Sequence, residues 1–131
     1  MSEIKIDWKK MKEAAGPYSP EAFQFVREGL AHTVRMIHGE GIPETPSGPA
    51  PNEHHVSGRQ LCNGLRDYAL QRYGMLARTV LGRWGIRRTE DFGRIVYGMI
   101  DLGLLRKNDN DSIEDFRGVF DFDEAFAVVE V

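Results

Sequence analysis

A proline- and glycine-rich break constrains this chain more than any other feature. Residues 39–53, GEGIPETPSGPAPNE, hold four of the six prolines and three glycines. Proline lacks an amide proton and fixes its own φ, so neither a helix nor a ladder of strand hydrogen bonds runs through such a stretch. It reads as a surface loop or linker. The break separates an N-terminal helical pair, 1–38, from a C-terminal unit, 54–131. Two helices alone have little to bury against, so the whole chain, 1–131, is expected to form a single domain with a long internal loop. A chain of 131 residues buries roughly two-thirds of the surface its unfolded form exposes, so it needs neither metal nor disulfide to close a core.

Helical periodicity and helix punctuation recur on both sides of the break. Ile4, Trp8, Met11 and Ala15 form one stripe, with Lys5, Lys9, Lys10 and Lys12 largely off it, which predicts a helix over 3–15 ended by Gly16-Pro17. Ser19 is placed to cap a second helix, with Pro20 at its first position and Glu21 in its first turn. Phe23, Val26, Leu30, Val34 and Ile37 give that helix its apolar stripe, and Gly39 and Gly41 close it. Beyond the break, Ser57-Gly58-Arg59-Gln60 is a capping box. The helix it opens carries Leu61, Leu65 and Tyr68 and ends near Gly74. A further helix from Met75 turns Leu76, Val80, Leu81 and Trp84 inward and stops at Gly85, where the apolar Ile86 fits a Schellman ending. Thr89 is then expected to cap a long helix with Phe92, Ile95, Val96, Met99 and Leu102 on its buried face, ended by Gly103.

The period changes after Gly103. Leu104 to Lys107 reads as a strand, Asn108 to Ser112 as a dense turn, and Phe116, Gly118, Phe120 and Phe122 fall at even spacing. That pattern predicts a β-hairpin, followed by a last short helix beginning around Asp123. The expected fold is mainly α (α+β): a helical domain with a winged-helix-like C-terminal unit of three helices plus a β-hairpin. In that layout Thr89–Arg106 is the recognition helix running into the wing.

Charge weighs against the DNA-binding role such a layout suggests. The net charge of −3 conceals a division: residues 54–107 carry ten basic and four acidic side chains, whereas residues 108–131 carry one basic and eight acidic. Glu90 and Asp91 sit at the start of the recognition helix, and Asp109, Asp111, Glu114 and Asp115 crowd the wing. Carboxylates there repel a phosphate backbone. Arg83, Arg87, Arg88 and Arg94 around the preceding turn argue the other way. A plainer reading has Arg87 and Arg88 complementing a helix end and Arg94 pairing with Glu90. The acidic tail is also expected to fold back and shield the basic middle.

Little recognisable chemistry is present. One cysteine, Cys62, excludes a disulfide framework and a multi-cysteine zinc site. Its position inside a helix, near Leu61 and Leu65, fits a small core side chain. His54 and His55 are the most suggestive ligand pair, yet adjacent histidines point apart and no metal-binding spacing accompanies them. No glycine-rich phosphate loop or nucleophile elbow occurs. Apolar runs are too short to span a bilayer, and MSEIKIDWKKMKE is too polar for a secretory signal, which favours a cytoplasmic protein.

The strings HHVSGRQLCNGLRDYALQRYG, MLARTVLGRWGI, TEDFGRIVYGMIDLGLL and DSIEDFRGVFDFDEAF, with YSPEAFQFVREGL upstream, resemble a small bacterial family associated with planctomycetes and verrucomicrobia. The resemblance covers nearly the whole chain. It implies a single-domain protein and brings no activity, cofactor or site residue with it. The expected function is therefore a non-catalytic binding module, engaging another protein or its own copy, with Glu114, Asp115 and Arg117 as the contact residues. One alternative is nucleic-acid binding through Arg83, Arg87, Arg88 and Arg94. Another is a metal-binding protein or enzyme built on His54, His55 and the carboxylates.

Overall fold

Caps and glycines set where the helices begin and end. In the computed structural model, which describes residues 7–39, 56–107 and 111–127, six α-helices follow one another: α1 (Trp8–Ala15), α2 (Pro20–His38), α3 (Gly58–Tyr73), α4 (Ala77–Arg83), α5 (Thr89–Asp101) and α6 (Phe122–Ala125). Asp7 opens α1 by accepting the backbone N–H groups of Lys9 and Lys10 at 3.1 and 3.3 Å. The part of the first helix predicted before Asp7, with Ile4, lies outside the described residues. At α3 the capping box forms as predicted: Gln60 N–H donates to Ser57 Oγ at 3.1 Å and Ser57 N–H donates to Gln60 Oε1 at 2.9 Å. Ser19 starts α2 without a side-chain cap; its hydroxyl is buried and unpartnered.

The Schellman ending of α4 is also present. Ile86 N–H bonds to Leu81 O at 2.9 Å and Gly85 N–H to Gly82 O at 3.1 Å, with Gly85 at φ 94°. The same pair of bonds closes α5, from Leu104 to Met99 O at 2.8 Å and from Gly103 to Ile100 O at 3.0 Å. Orphan carbonyls at both ends are thereby satisfied.

The core is built around α5, whose Phe92, Ile95, Val96 and Met99 are buried as predicted. It packs on α1, α2 and α3. The α2 and α3 helices run antiparallel, since Phe25 meets Tyr73 at one end of the seam and Thr33 meets Gly64 nearer the other. Two glycines let the helices come this close. A Cβ at Gly64 would overlap the Thr33 side chain, and one at Gly98 would overlap Ala15 and lie 3.1 Å from its Cα. At Gly98 the obstruction is backbone, which cannot swing aside.

The predicted β-hairpin does not form: there is no strand among the described residues, so the wing of the winged-helix layout is missing from them. The reason is visible at both halves. Leu104 is tied back to α5 by its bond to Met99, so 104–107 is not released as a strand. Ser112 and Asp115 form a second capping box, Glu114 N–H donating to Ser112 Oγ at 3.2 Å and Ser112 N–H to Asp115 Oδ2 at 3.1 Å, which winds Ile113–Phe116 into a 3-10 turn. That turn drives Phe116 between α3 and α5, where a Cβ on Gly93 would lie 2.9 Å from Phe116 Cβ. Phe120 then stacks on Phe122, Phe126 meets both edge to face, and Phe122 lies tilted against Phe92, with ring centroids 5.0 to 6.1 Å apart. Even spacing served a folded aromatic cluster, not a strand face. The last short helix is present and starts one residue earlier than expected, at Phe122.

Two alanine substitutions separate packing from propensity. Gly98→Ala is expected to destabilise the chain by roughly 1–3 kcal/mol through overpacking against Ala15. Gly82→Ala, with nothing within 4 Å of its added Cβ, is expected to be neutral or stabilising by up to about 1 kcal/mol. Urea unfolding of the two variants checks this.

Candidate interaction surface

The α4–α5 turn carries most of the residues singled out in the sequence. Thr89 is the first residue of α5 and not its cap. The capping group is Asp91, whose Oδ2 accepts the backbone N–H groups of Arg87 and Arg88 at 2.8 and 3.1 Å. Its Oδ1 accepts the Tyr18 hydroxyl at 2.5 Å. Thr89 Oγ1 accepts Val119 N–H at 3.2 Å and so holds the chain after the 3-10 turn. Burial, reinforced by the Asp91 carboxylate, raises the Tyr18 pKa well above the ordinary phenol value, while the Arg94 guanidinium beside it pulls the other way.

All four arginines of the predicted cluster are exposed. Arg83 ends α4, Arg87 and Arg88 lie on the turn, and Arg94 is in the second turn of α5 beside Tyr18. Among the described residues no carboxylate is ion-paired with Arg83, Arg87 or Arg88. Burial, however, narrows what α5 could offer as a recognition helix to an outer face with exposed Arg94 and Asp101. Eight of the thirteen residues of α5 are buried, whereas a helix that reads a groove must offer a free face. The start of α5 is also already occupied by Asp91.

The acidic tail is spent largely on the protein itself. Asp115 caps its own turn, and Glu114 pairs with Arg117 at 3.1 Å, so the three residues favoured for partner binding are engaged locally. Asp121 caps α6 through Asp123 N–H at 2.8 Å, and Asp123 pairs with Arg78 of α4 at 2.6 Å. Arg66 of α3 donates to Ala125 O at 3.0 Å. The tail thus folds back onto the basic middle, as the charge division suggested. His54 and His55 lie outside the described residues. Among the described residues no group of three or more side chains could hold a metal ion. Cys62 is buried, and burial, with Glu90 adding to it against Arg59, pushes its thiol up to about 12. A protonated, enclosed thiol is no nucleophile.

Sequence reasoning missed the outer seam of α2 and α3 and the corner that follows it. His32 Nε2 lies 2.8 Å from Asp67 Oδ2, which also accepts from Gln71 at 2.8 Å. Glu28 accepts from the Tyr68 hydroxyl at 2.8 Å and from Gln24 at 3.2 Å. Arg72 lies over the Tyr68 and Tyr73 rings, 5.7 and 5.8 Å from their centroids. Tyr73 and Trp84 meet edge to face, and both contact Phe25. Next to this cluster the chain makes a 3-10 turn, Gly74–Leu76, before α4 begins. That turn changes the helical phase, so Leu76, expected inward, is 62% exposed, and Met75 is 73% exposed. A glycine followed by no capping residue was the one available signal that α4 would not start cleanly at Met75.

Raised acids make stability alkali-sensitive: burial raises Tyr68 and Tyr97 as well, and Cys62 and Tyr18 shift most. Cys62 and Tyr18 keep their protons in the fold at a pH where the unfolded chain, with ordinary values of 9.0 and 10.0, gives them up. Their contribution is therefore complete below about pH 9 and is lost as pH rises, at about 1.4 kcal/mol per pH unit for each group. Urea midpoints are expected to be level from pH 7 to 8.5, to fall above about 9, and to fall more steeply above about 10. Cys62→Ala removes the first part of that decline and Tyr18→Phe reduces the second, to which Tyr68 and Tyr97 also contribute; a midpoint level to about pH 11 contradicts it.

Compared with known proteins, the chain matches no family model, no curated protein and no solved structure.

Proposed function

We propose that this protein is a non-catalytic interaction module that binds another protein through the corner between α3 and α4. One observation carries the reading: Met75 and Leu76 stand adjacent and exposed beside half-buried Tyr73 and Trp84 and exposed Arg72. A single exposed apolar residue is ordinary on any surface. Met, Tyr, Trp and Arg together in one patch are the residue types enriched where proteins bind proteins. The groups with chemical potential support the same reading, because they hold the fold. Cys62 is enclosed, Asp91 caps a helix, and the partly exposed Asp67 joins α2 to α3 through His32. A cytoplasmic setting fits the lone buried cysteine, and among the described residues no helix is long and apolar enough to cross a membrane.

A second reading is nucleic-acid binding through Arg83, Arg87, Arg88 and Arg94, the first three of which have no carboxylate partner among the described residues. With α5 buried, such binding would be to the phosphate backbone, independent of sequence and steeply salt-dependent.

Photo-crosslinking in cells that make the protein tests the first reading. A benzophenone side chain at position 75 is expected to give discrete heavier adducts that the same group at exposed position 101 does not. Adducts at neither position, or the same adducts at both, contradict it. A gel shift at low salt tests the second reading: retardation lost on charge reversal of Arg87 and Arg88 supports it, and no retardation removes it.

A further inference from the structure

We infer that the partner presents carboxylates around an apolar anchor and lies along the outer face of α4; this rests on the corner being the interaction site. The charges that remain available there are cationic. On the neighbouring seam the carboxylates are consumed: Glu28 by Tyr68 and Gln24, and Asp67 by His32 and Gln71. The cations are not. Arg72 lies over the Tyr68 and Tyr73 rings and donates to the Tyr68 hydroxyl at 3.4 Å, and neither it nor Arg83 is ion-paired with a carboxylate among the described residues.

Spacing then gives the surface a direction. Leu76 immediately precedes α4, Val80 lies in its middle and Arg83 is its last residue. Leu76 and Arg83 are exposed, Val80 is half-buried, and Arg72 stands just before the turn. Along the chain this apolar stretch is preceded by one exposed guanidinium and followed by another. With a rise of about 1.5 Å per residue, Leu76 and Arg83 are on the order of 10 Å apart, within reach of two turns of an incoming helix. Such a helix would put apolar side chains on Met75, Leu76 and Val80 and carboxylates on Arg72 and Arg83.

The chain supplies its own precedent. On the adjoining side of α4, Arg78 already receives Asp123 of the acidic tail at 2.6 Å. A basic partner would meet Arg72, Arg78 and Arg83 together, and like charges brought face to face exclude it.

The test uses the full chain and fluorescence anisotropy. The probe is a labelled amphipathic peptide with Leu and Met at i, i+3, i+4 and i+7 and Glu elsewhere, compared with versions carrying Gln or Lys in place of Glu. The Glu peptide is expected to bind at least about tenfold tighter than either comparator and to weaken as salt is raised. The double variants Met75→Ser with Leu76→Ser, and Arg72→Glu with Arg83→Glu, are each expected to weaken it by about tenfold or more. All four side chains are exposed, and unchanged thermal melts would show that the variants fold. Equal binding of all three peptides, lost in the Ser variant, overturns the charge preference and leaves the interaction site standing. Glu-peptide binding that survives the Ser variant overturns the placement. No binding of any peptide overturns the inference, and joined with no adducts from position 75 it overturns the interaction reading as well.

Discussion

The fold depends on one carboxylate. Asp91 is 7% exposed, and burying an ionised carboxyl group costs several kcal/mol unless its oxygens are satisfied. Here two backbone N–H groups and the Tyr18 hydroxyl satisfy them, and the positive end of α5 adds to the compensation. Tyr18 lies before the proline-rich break and Asp91 well after it. Their hydrogen bond therefore fastens the turn between α1 and α2 to the turn between α4 and α5. Ser19 N–H to Trp84 O, at 3.3 Å, runs beside it as a second fastening. Neither half of the chain has this junction alone, and α1 also packs on α5, and α2 on α3, across the break.

That junction also decides what the surface offers. By fixing α5 in the middle of the molecule it buries most of the helix expected to read a DNA groove. It leaves α4 on the outside, with the Met75–Leu76 corner at one end and arginines along its length. The acidic tail covers part of this basic region through Arg78 and Arg66 and leaves Arg83, Arg87 and Arg88 without carboxylate partners among the described residues. The exposed rim is thus what the molecule offers a partner, because the buried polar groups are occupied in holding the fold.

The parts of the fold legible in the sequence are those governed by neighbours in the chain. Ser57 and Gln60, Gly85 with Ile86, and the apolar face of α5 all behave as their local spacing predicts, because capping and periodicity act within a turn or two. Ser112-Ile113-Glu114-Asp115 has the same cap-to-N3 spacing as Ser57–Gln60, so the 3-10 turn was legible too; the even spacing of the phenylalanines obscured it. What could not be read were pairings across the molecule. His32 with Asp67, and Tyr18 with Asp91, are 35 and 73 residues apart, and no local pattern selects them. The corner escaped for a different reason: three residues of 3-10 helix shift the phase of α4, and a periodicity counted through Met75 turns Leu76 to the wrong side.

The most direct measurement is a double-mutant cycle between Tyr18→Phe and Asp91→Ala, read by urea unfolding near pH 7. If this hydrogen bond joins the two halves, the two losses are strongly non-additive, with a coupling of roughly 1–3 kcal/mol. Losses that simply add, to within about 0.5 kcal/mol, would show that Tyr18 and Asp91 act separately and that the halves are held together elsewhere.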